Sequence, residues 1–269
     1  MILTIDIGNT TTSFGVFEGA RLRSQFAIAT QPTRTPDEIT LQLKALAKAR
    51  KLHLTRASRI IICSVVPRMS GILIQSLRSL GAMPISVVGQ DLDVPLVNRY
   101  KYPEQVGQDR LVGAYAAWKM GGKRQETRDK GQGRDCIVCD FGTAITIDVV
   151  IKKGEYLGGI IAPGLDISLE ALATKTALLP KVELREPPEL LGRDTANSIR
   201  SGLIYGCAAL CDGLIEQLKA RYATTATVIA TGGGAEAIVK HCRQIDHSKP
   251  HLILDGLHLL ASSKVHRKK

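Results

Sequence analysis

Residues 2–19 read ILTIDIGNTTTSFGVFEG: an apolar run through Ile7, a turn built from Gly8, Asn9 and Thr10, and a second alternating run over residues 13–17 that closes at Glu18-Gly19. An apolar, β-branched run that breaks at glycine and hydroxyl residues and then resumes is the pattern of a β-hairpin. The same unit returns at residues 136–152, CIVCDFGTAITIDVVIK, with a strand over 136–140, a turn over 141–144 and a returning strand over 145–152. Asp6 matches Asp140, Gly8 matches Gly142 and Thr12 matches Thr146.

A second correspondence extends the repeat. Residues 59–63, RIIIC, form a short strand followed by Ser64-Val65-Val66-Pro67 and a helical pattern through Leu80; residues 226–230 form a strand followed by Thr231-Gly232-Gly233-Gly234 and a helical pattern from Ala235. Further helical patterns fall at 36–51, 108–120, 168–173 and 194–222. Strands alternating with helices, with a hairpin opening each half, predict mixed sheets flanked by helices. A repeat spanning half the chain predicts two α/β domains, placed at 1–118 and 119–269, with a cleft between them.

Composition agrees with a globular protein and narrows its partners. A chain of 269 residues with 44% apolar and 23% charged residues has enough material for two ordinary cores. The amino-terminal residues carry no basic leader, and no apolar run approaches the ~20 residues of a membrane span, so a cytoplasmic protein without a membrane partner is expected. The net charge of +11 is compatible with anionic substrates as well as nucleic acid. The basic residues are scattered apart from 119–134 and 264–269, and with 4% aromatics neither cluster forms a base-stacking platform; no nucleic acid partner is expected. The Gly-rich stretch 119–134, of mixed charge, reads as a surface loop and the 264–269 tail as a solvated end. Cys136-x-x-Cys139 is half of a zinc pattern with no second half, in a strand-like setting, and Cys207 and Cys211 share a helical face; packing is the expected use of both pairs.

The turns carry the chemistry. Glycine lets the backbone approach a phosphate, exposed N–H groups and hydroxyls donate to its oxygens, and an aspartate supports a cation that offsets its charge. Asp-x-Gly-Asn and Asp-x-Gly-Thr also spell ordinary hairpin turns; it is two copies together with a third Gly-rich turn at 231–235 that point to a nucleotide. Neither GxxxxGK[ST] nor a dinucleotide GxGxxG occurs, which disfavours a P-loop enzyme or a Rossmann fold.

The DxGNT, DFGTAxT and TGGGA turns resemble those of the acetate and sugar kinase, Hsp70 and actin superfamily. Ser64-Val65-Val66-Pro67, Gly107-Gln108-Asp109-Arg110, residues 158–164 (GGIIAPG) and Gly192-Arg193-Asp194-Thr195, in this order, resemble the type III pantothenate kinase family from Ile5 to about Leu260. The resemblance implies two duplicated ribonuclease H-like (actin-like ATPase) domains with a nucleotide cleft between them, and phosphorylation of pantothenate by ATP at the start of coenzyme A synthesis. It also implies a homodimer, Mg2+ with the nucleotide, and a monovalent cation, K+ or NH4+. By motif position Asp6, Ile7, Gly8, Asn9, Thr10, Thr11, Thr12, Ser13 and Thr143 contact ATP, and Asp140 ligates the monovalent cation. Tyr100, Gly107, Gln108, Asp109, Arg110 and Thr195 contact pantothenate, with Asp109 as proton acceptor. Arg110 is chemically suited to a carboxylate, and Asp109, opening the helix that runs to Met120, is expected to stay ionised at neutral pH. A loose phosphoryl-transfer transition state needs orientation of the hydroxyl more than a strong base. Gln108 stands where the family more often has a small or aliphatic residue, and the 121–134 loop is longer and more charged than the family pattern. Another superfamily kinase acting on a sugar, or a non-catalytic transcription accessory factor, are the competing readings.

Overall fold

The computed structural model describes residues 1–120 and 133–263, so most of the basic loop and all of the 264–269 tail lie outside the described residues. The chain divides into two units, one of Met1–Pro95, Glu104–Ala116 and the segment from Ile253, the other of Leu96–Pro103 and Ala117–Leu252.

In the first unit, β1 (Ile2–Ile7), β2 (Thr11–Glu18) and β3 (Arg21–Ala29) form an antiparallel meander, and β4 (Arg59–Ser64) and β5 (Ile85–Val87) add to the other side of β1 in parallel. The order is β3-β2-β1-β4-β5. Parallel neighbours require crossovers, supplied by α1 (Pro36–Ala49) and α2 (Pro67–Leu80). The start of α1 is fixed by a capping box: Thr35 Oγ1 accepts from Glu38 N while Glu38 Oε2 accepts from Thr35 N at 2.7 Å, with Pro36 opening the helix. Ile39, Leu43 and Ala47 then face the sheet at helical spacing, meeting Leu3, Ile5 and Ile7 of β1 in one core. The unit is completed by α7 (Leu252–Ser262), which lies against α3 (Gln108–Met120) where Gly256 has no side chain; a Cβ there would fall 2.7 Å from Val112 O.

The second unit repeats the plan. β7 (Cys136–Phe141), β8 (Ala144–Ile151) and β9 (Glu155–Pro163) form the meander, β10 (Thr227–Thr231) and β11 (His247–Ser248) extend it in parallel beyond β7, and β6 (Val97–Asn98) joins the edge of β9. The order β9-β8-β7-β10-β11 reproduces β3-β2-β1-β4-β5 strand for strand, which is the duplication expected from the two hairpins and the ribonuclease H-like fold that the family resemblance implies. α4 (Leu165–Lys175), α5 (Thr195–Tyr222) and the short α6 (Ala235–Val239) accompany the sheet.

The register corrects one detail of the sequence alignment. Asp6 pairs with Ser13, whereas Asp140 pairs with Thr146, so Thr146 corresponds across the strand to Ser13 and not to Thr12. The first turn holds one more residue than the second, so a constant offset along the sequence fails beyond the turn. The cysteines behave as expected. Cys136 and Cys139, three apart on a strand, point to opposite faces and are both fully buried; burial is the largest cause that pushes the Cys136 thiol up to about 12 and Cys139 well above its ordinary value.

Candidate active site

The turn between β1 and β2 is braced from beneath. Gly8 N donates to Thr11 O at 3.0 Å, Thr30 Oγ1 donates to Gly8 O at 2.8 Å, Thr30 N donates to Thr10 O at 2.9 Å, and the hydroxyls of Thr12 and Thr30 lie 2.9 Å apart. Ile7 and Thr12 are fully buried, whereas Asn9, Thr10 and Thr11 are exposed. The turn therefore offers a fixed row of backbone and hydroxyl groups to an anion, with Thr12 acting as part of the brace. Thr30, at the end of β3, carries no motif; only the β2–β3 register places it under the turn.

Asp6, the last residue but one of β1, lies beside β4 opposite Cys63, and Ile7 pairs with Ser64. The Ser64-Val65-Val66-Pro67 segment turns directly off this edge: Val65 N donates to Ile7 O at 3.1 Å, Val66 N donates to Ser64 Oγ at 3.0 Å, and Ser70 Oγ donates to Ser64 Oγ at 2.6 Å. Gly107 lies against the same segment, since a Cβ on it would be 3.6 Å from Val65 Cγ1 and would overlap Asp109 Oδ1. The absence of a side chain at Gly107 is thus what lets the Asp109 carboxylate fold back over the start of α3, where its Oδ1 accepts from Arg110 N at 2.8 Å. Asp6 and Asp109 occupy one neighbourhood. Burial first, and then the two carboxylates, push the Cys63 thiol well above its ordinary value. Gln108 packs across Gly89, whose φ of 84° and missing side chain make room for it; a Cβ there would lie 2.9 Å from Gln108 Cδ.

In the second unit Asp140 sits between two glycine turns. A Cβ at Gly142 would fall 3.3 Å from Asp140 Oδ1, and one at Gly232, where φ is 92°, would overlap the same oxygen and reach within 2.6 Å of the Phe141 carbonyl carbon. Gly234 N donates to Phe141 O at 2.9 Å, tying the Thr231-Gly232-Gly233-Gly234 turn to the β7–β8 turn. Gly164 closes the group, because a Cβ on it would collide with Thr143 O and stand 2.6 Å from Gly142 O. Asp140, the exposed Thr143 and the three glycine turns are therefore assembled together. A carboxylate is a hard oxygen donor of the kind that K+ or Mg2+ takes. Among the described residues no three His, Cys, Asp or Glu side chains gather as a metal site.

The residues expected to contact the acceptor are divided between the units. Gly107, Gln108, Asp109 and Arg110 belong to the first; Tyr100 and Thr195 belong to the second. Tyr100 is half-buried with its ring on Gly158, whose Cβ would be 3.4 Å from Tyr100 Cδ2. Thr195 is the exposed first residue of α5, behind the cap Asp194, whose Oδ1 accepts from Asn197 N at 2.8 Å; this bond is the largest cause holding the Asp194 carboxyl below its usual range. The chain leading to it is pinned by the buried Arg200, whose Nε donates to Glu183 O at 3.0 Å, and by Ser201 Oγ on Leu190 O.

Residues 2–217 match the family model for type III pantothenate kinase. The chain is 41% identical over 266 residues to a type III pantothenate kinase of Rubrobacter xylanophilus, with 97% of each chain covered, and 41% identical over 265 residues to one of Anaeromyxobacter dehalogenans, covering 97% of this chain and 98% of the relative. A crystal structure of a Baf family transcriptional activator from Campylobacter jejuni superposes with a TM-score of 0.58 at 17% identity, covering 96% of each chain, which shows a common fold.

Proposed function

Since the chain belongs to the type III pantothenate kinase family, we propose that it phosphorylates pantothenate with Asp109 as the group that orients the acceptor hydroxyl and takes its proton. The reaction is ATP-dependent, uses a metal ion, and yields 4'-phosphopantothenate at the first step of coenzyme A biosynthesis. Family membership favours it over a sugar acceptor or a regulatory role. The observation that carries the residue assignment is the Asp109 carboxylate folded over Gly107 beside Asp6, on a rigid helix start. A proton acceptor here needs placement more than basicity, because the proton leaves late in a loose transition state.

In this reading residues 6–13 and Thr143 cradle the ATP phosphates, with the exposed Asn9, Thr10 and Thr11 donating and the buried Ile7 and Thr12 supporting. Asp6, as a carboxylate among these residues, would help hold the Mg2+ that accompanies ATP. Asp140 and its glycine cradle hold K+ or NH4+. Cations held by these residues would offset charge on the phosphates. Arg110 pairs the pantothenate carboxylate, and Tyr100, Gly107, Gln108 and Thr195 shape its subsite. A homodimer is supported by α5, where Gly202, Gly206 and Gly213 share a face on which an added Cβ would meet no described residue within 4 Å, and by the exposed Leu178, Leu190 and Leu191 at 92%, 67% and 71%. Six free thiols fit a reducing, cytoplasmic setting. No helix among the described residues is long and apolar enough to cross a membrane.

ADP release measured with pantothenate and with a panel of hexoses, in potassium and in sodium, tests the proposal. Pantothenate-dependent turnover requiring potassium or ammonium is expected. Turnover in sodium alone would remove the cation role of Asp140, and turnover only with a sugar would sink the acceptor assignment.

A further inference from the structure

Tyr156 lies in β9 with its side chain fully buried, and its phenol donates a 2.6 Å hydrogen bond to Asp148 Oδ1. Asp148, on β8, is 2% exposed and takes a second hydrogen bond from Thr146 Oγ1, 3.2 Å from its Oδ2. A buried carboxylate is expensive without donors and offers little net stability even with them, whereas a valine and a phenylalanine would occupy similar space without that cost. The pair gains its meaning from what it fastens.

β9 is irregular at this point. Val149 pairs with Gly158 but Val150 pairs with Tyr156, so Leu157 is an extra residue and the strand bulges. Just beyond the bulge, Gly158 adopts φ 130° and forms the floor under the ring of Tyr100. The segment that carries Tyr100 is itself hung on Tyr156: Arg99 N donates to Tyr156 O at 2.9 Å and Val97 N donates to Gly154 O at 2.8 Å. Tyr100 N is in turn held by Asn98 Oδ1 at 3.0 Å. Tyr156 therefore grips β8 through its hydroxyl and the Tyr100 segment through its carbonyl, with the bulge between them.

We propose that Tyr156, clamped by Asp148, is a positioning residue for the acceptor subsite: it fixes the β9 bulge and thereby the placement of the Tyr100 ring over Gly158. The inference rests on the reading of Tyr100 as a pantothenate contact. Tyr156 touches neither substrate in this scheme, so losing its hydroxyl should weaken acceptor binding and leave the nucleotide side alone.

Tyr156→Phe keeps the ring and removes the donor. The pantothenate KM, and the pantothenate dissociation constant from calorimetry with a non-hydrolysable ATP analogue present, are expected to rise about tenfold, the scale of one lost buried hydrogen bond. The ATP KM, and kcat at saturating pantothenate, should stay within about twofold, since the lost contact serves ground-state acceptor binding. Asp148→Asn retains an oxygen to accept the phenol and should restore acceptor affinity to within about threefold of the unsubstituted protein. An equal loss in both variants, or a lower melting temperature with unchanged pantothenate affinity, would overturn the proposal. If Tyr156→Phe does not fold, Arg99→Pro cuts the other link by removing the N–H that meets Tyr156 O, and Arg99→Ala controls for the Glu155 ion pair; equal pantothenate affinities in these two would also overturn it. Tyr100→Ala separates the premise from the inference: no change in pantothenate KM there would refute the role of Tyr100, whereas a rise there without one in Tyr156→Phe refutes the role of Tyr156.

Discussion

Asp109 accepts a hydrogen bond from Arg110 N at 2.8 Å and lies where Gly107 has no side chain. Replacing it with asparagine preserves the hydrogen bond and the shape but removes the proton acceptor, so kcat should fall by about 10²–10⁴-fold with the thermal transition nearly unmoved, in a steady-state assay paired with a melting curve. Near-normal turnover would show that another group takes the proton. His258, on α7, stacks on Phe17 at 4.2 Å between ring centroids, and its Nδ1 is buried with no hydrogen-bond partner among the described residues. Burial lowers its pKa below 6.5, so the unfolded chain binds the proton more readily. Its share of stability is intact above pH 6.5 and is lost as the pH falls from there toward the folded value. His258→Phe keeps the stack and should flatten the change in urea midpoint between pH 7 and 5; an unaltered slope would assign that change to other groups. Asp109 and Gly107 stand in one short motif and were legible in the sequence. The seat of Gln108 on Gly89 was not, because those two residues meet only when β5 and the start of α3 are brought together.

At the scale of elements, the turns are set by backbone proximity. Gly232 sits at φ 92° against Asp140 and Phe141, so alanine there meets both a strained dihedral and an occupied space. Gly232→Ala should lower stability by about 1–3 kcal/mol, the usual range for a strained backbone residue, and shift the potassium concentration giving half-maximal activity, since the added carbon presses on Asp140. Urea denaturation and a potassium titration read the two effects separately; a stability loss with an unshifted titration would detach Asp140 from the cation. The hairpins, β4, β10 and the four longest helices were legible because each has its own apolar period and its own turn residues. β3 and β9, which complete each meander, were not. β3 alternates buried with exposed positions among four polar residues, and β9 runs through two glycines and a bulge. The two-residue strands β6 and β11 exist only as partners of longer ones, and α7 joins the first unit through packing on α3 that local sequence cannot encode.

At the scale of the whole molecule, the exposed face of α5 that carries Gly202, Gly206 and Gly213 meets no other element among the described residues. Each helical glycine costs about 1 kcal/mol relative to alanine, yet Gly202, Gly206 and Gly213 face open space where a side chain would meet nothing. A second copy approaching closely along that face would offset the cost, and the neighbouring, exposed Leu210 would be covered with it. Gly206→Gln distinguishes this from an idle surface, since its effects on the protomer and on the assembly have opposite signs. Within one chain it should raise helix stability by about 0.5–1 kcal/mol. Across an interface it would hold two backbones apart. Sedimentation velocity should therefore show the unsubstituted protein at dimer mass and Gly206→Gln shifted to monomer, with pantothenate kinase activity falling in parallel if the dimer completes the site. A more stable Gly206→Gln that remains at dimer mass with full activity would place the interface elsewhere and leave the three glycines without a role.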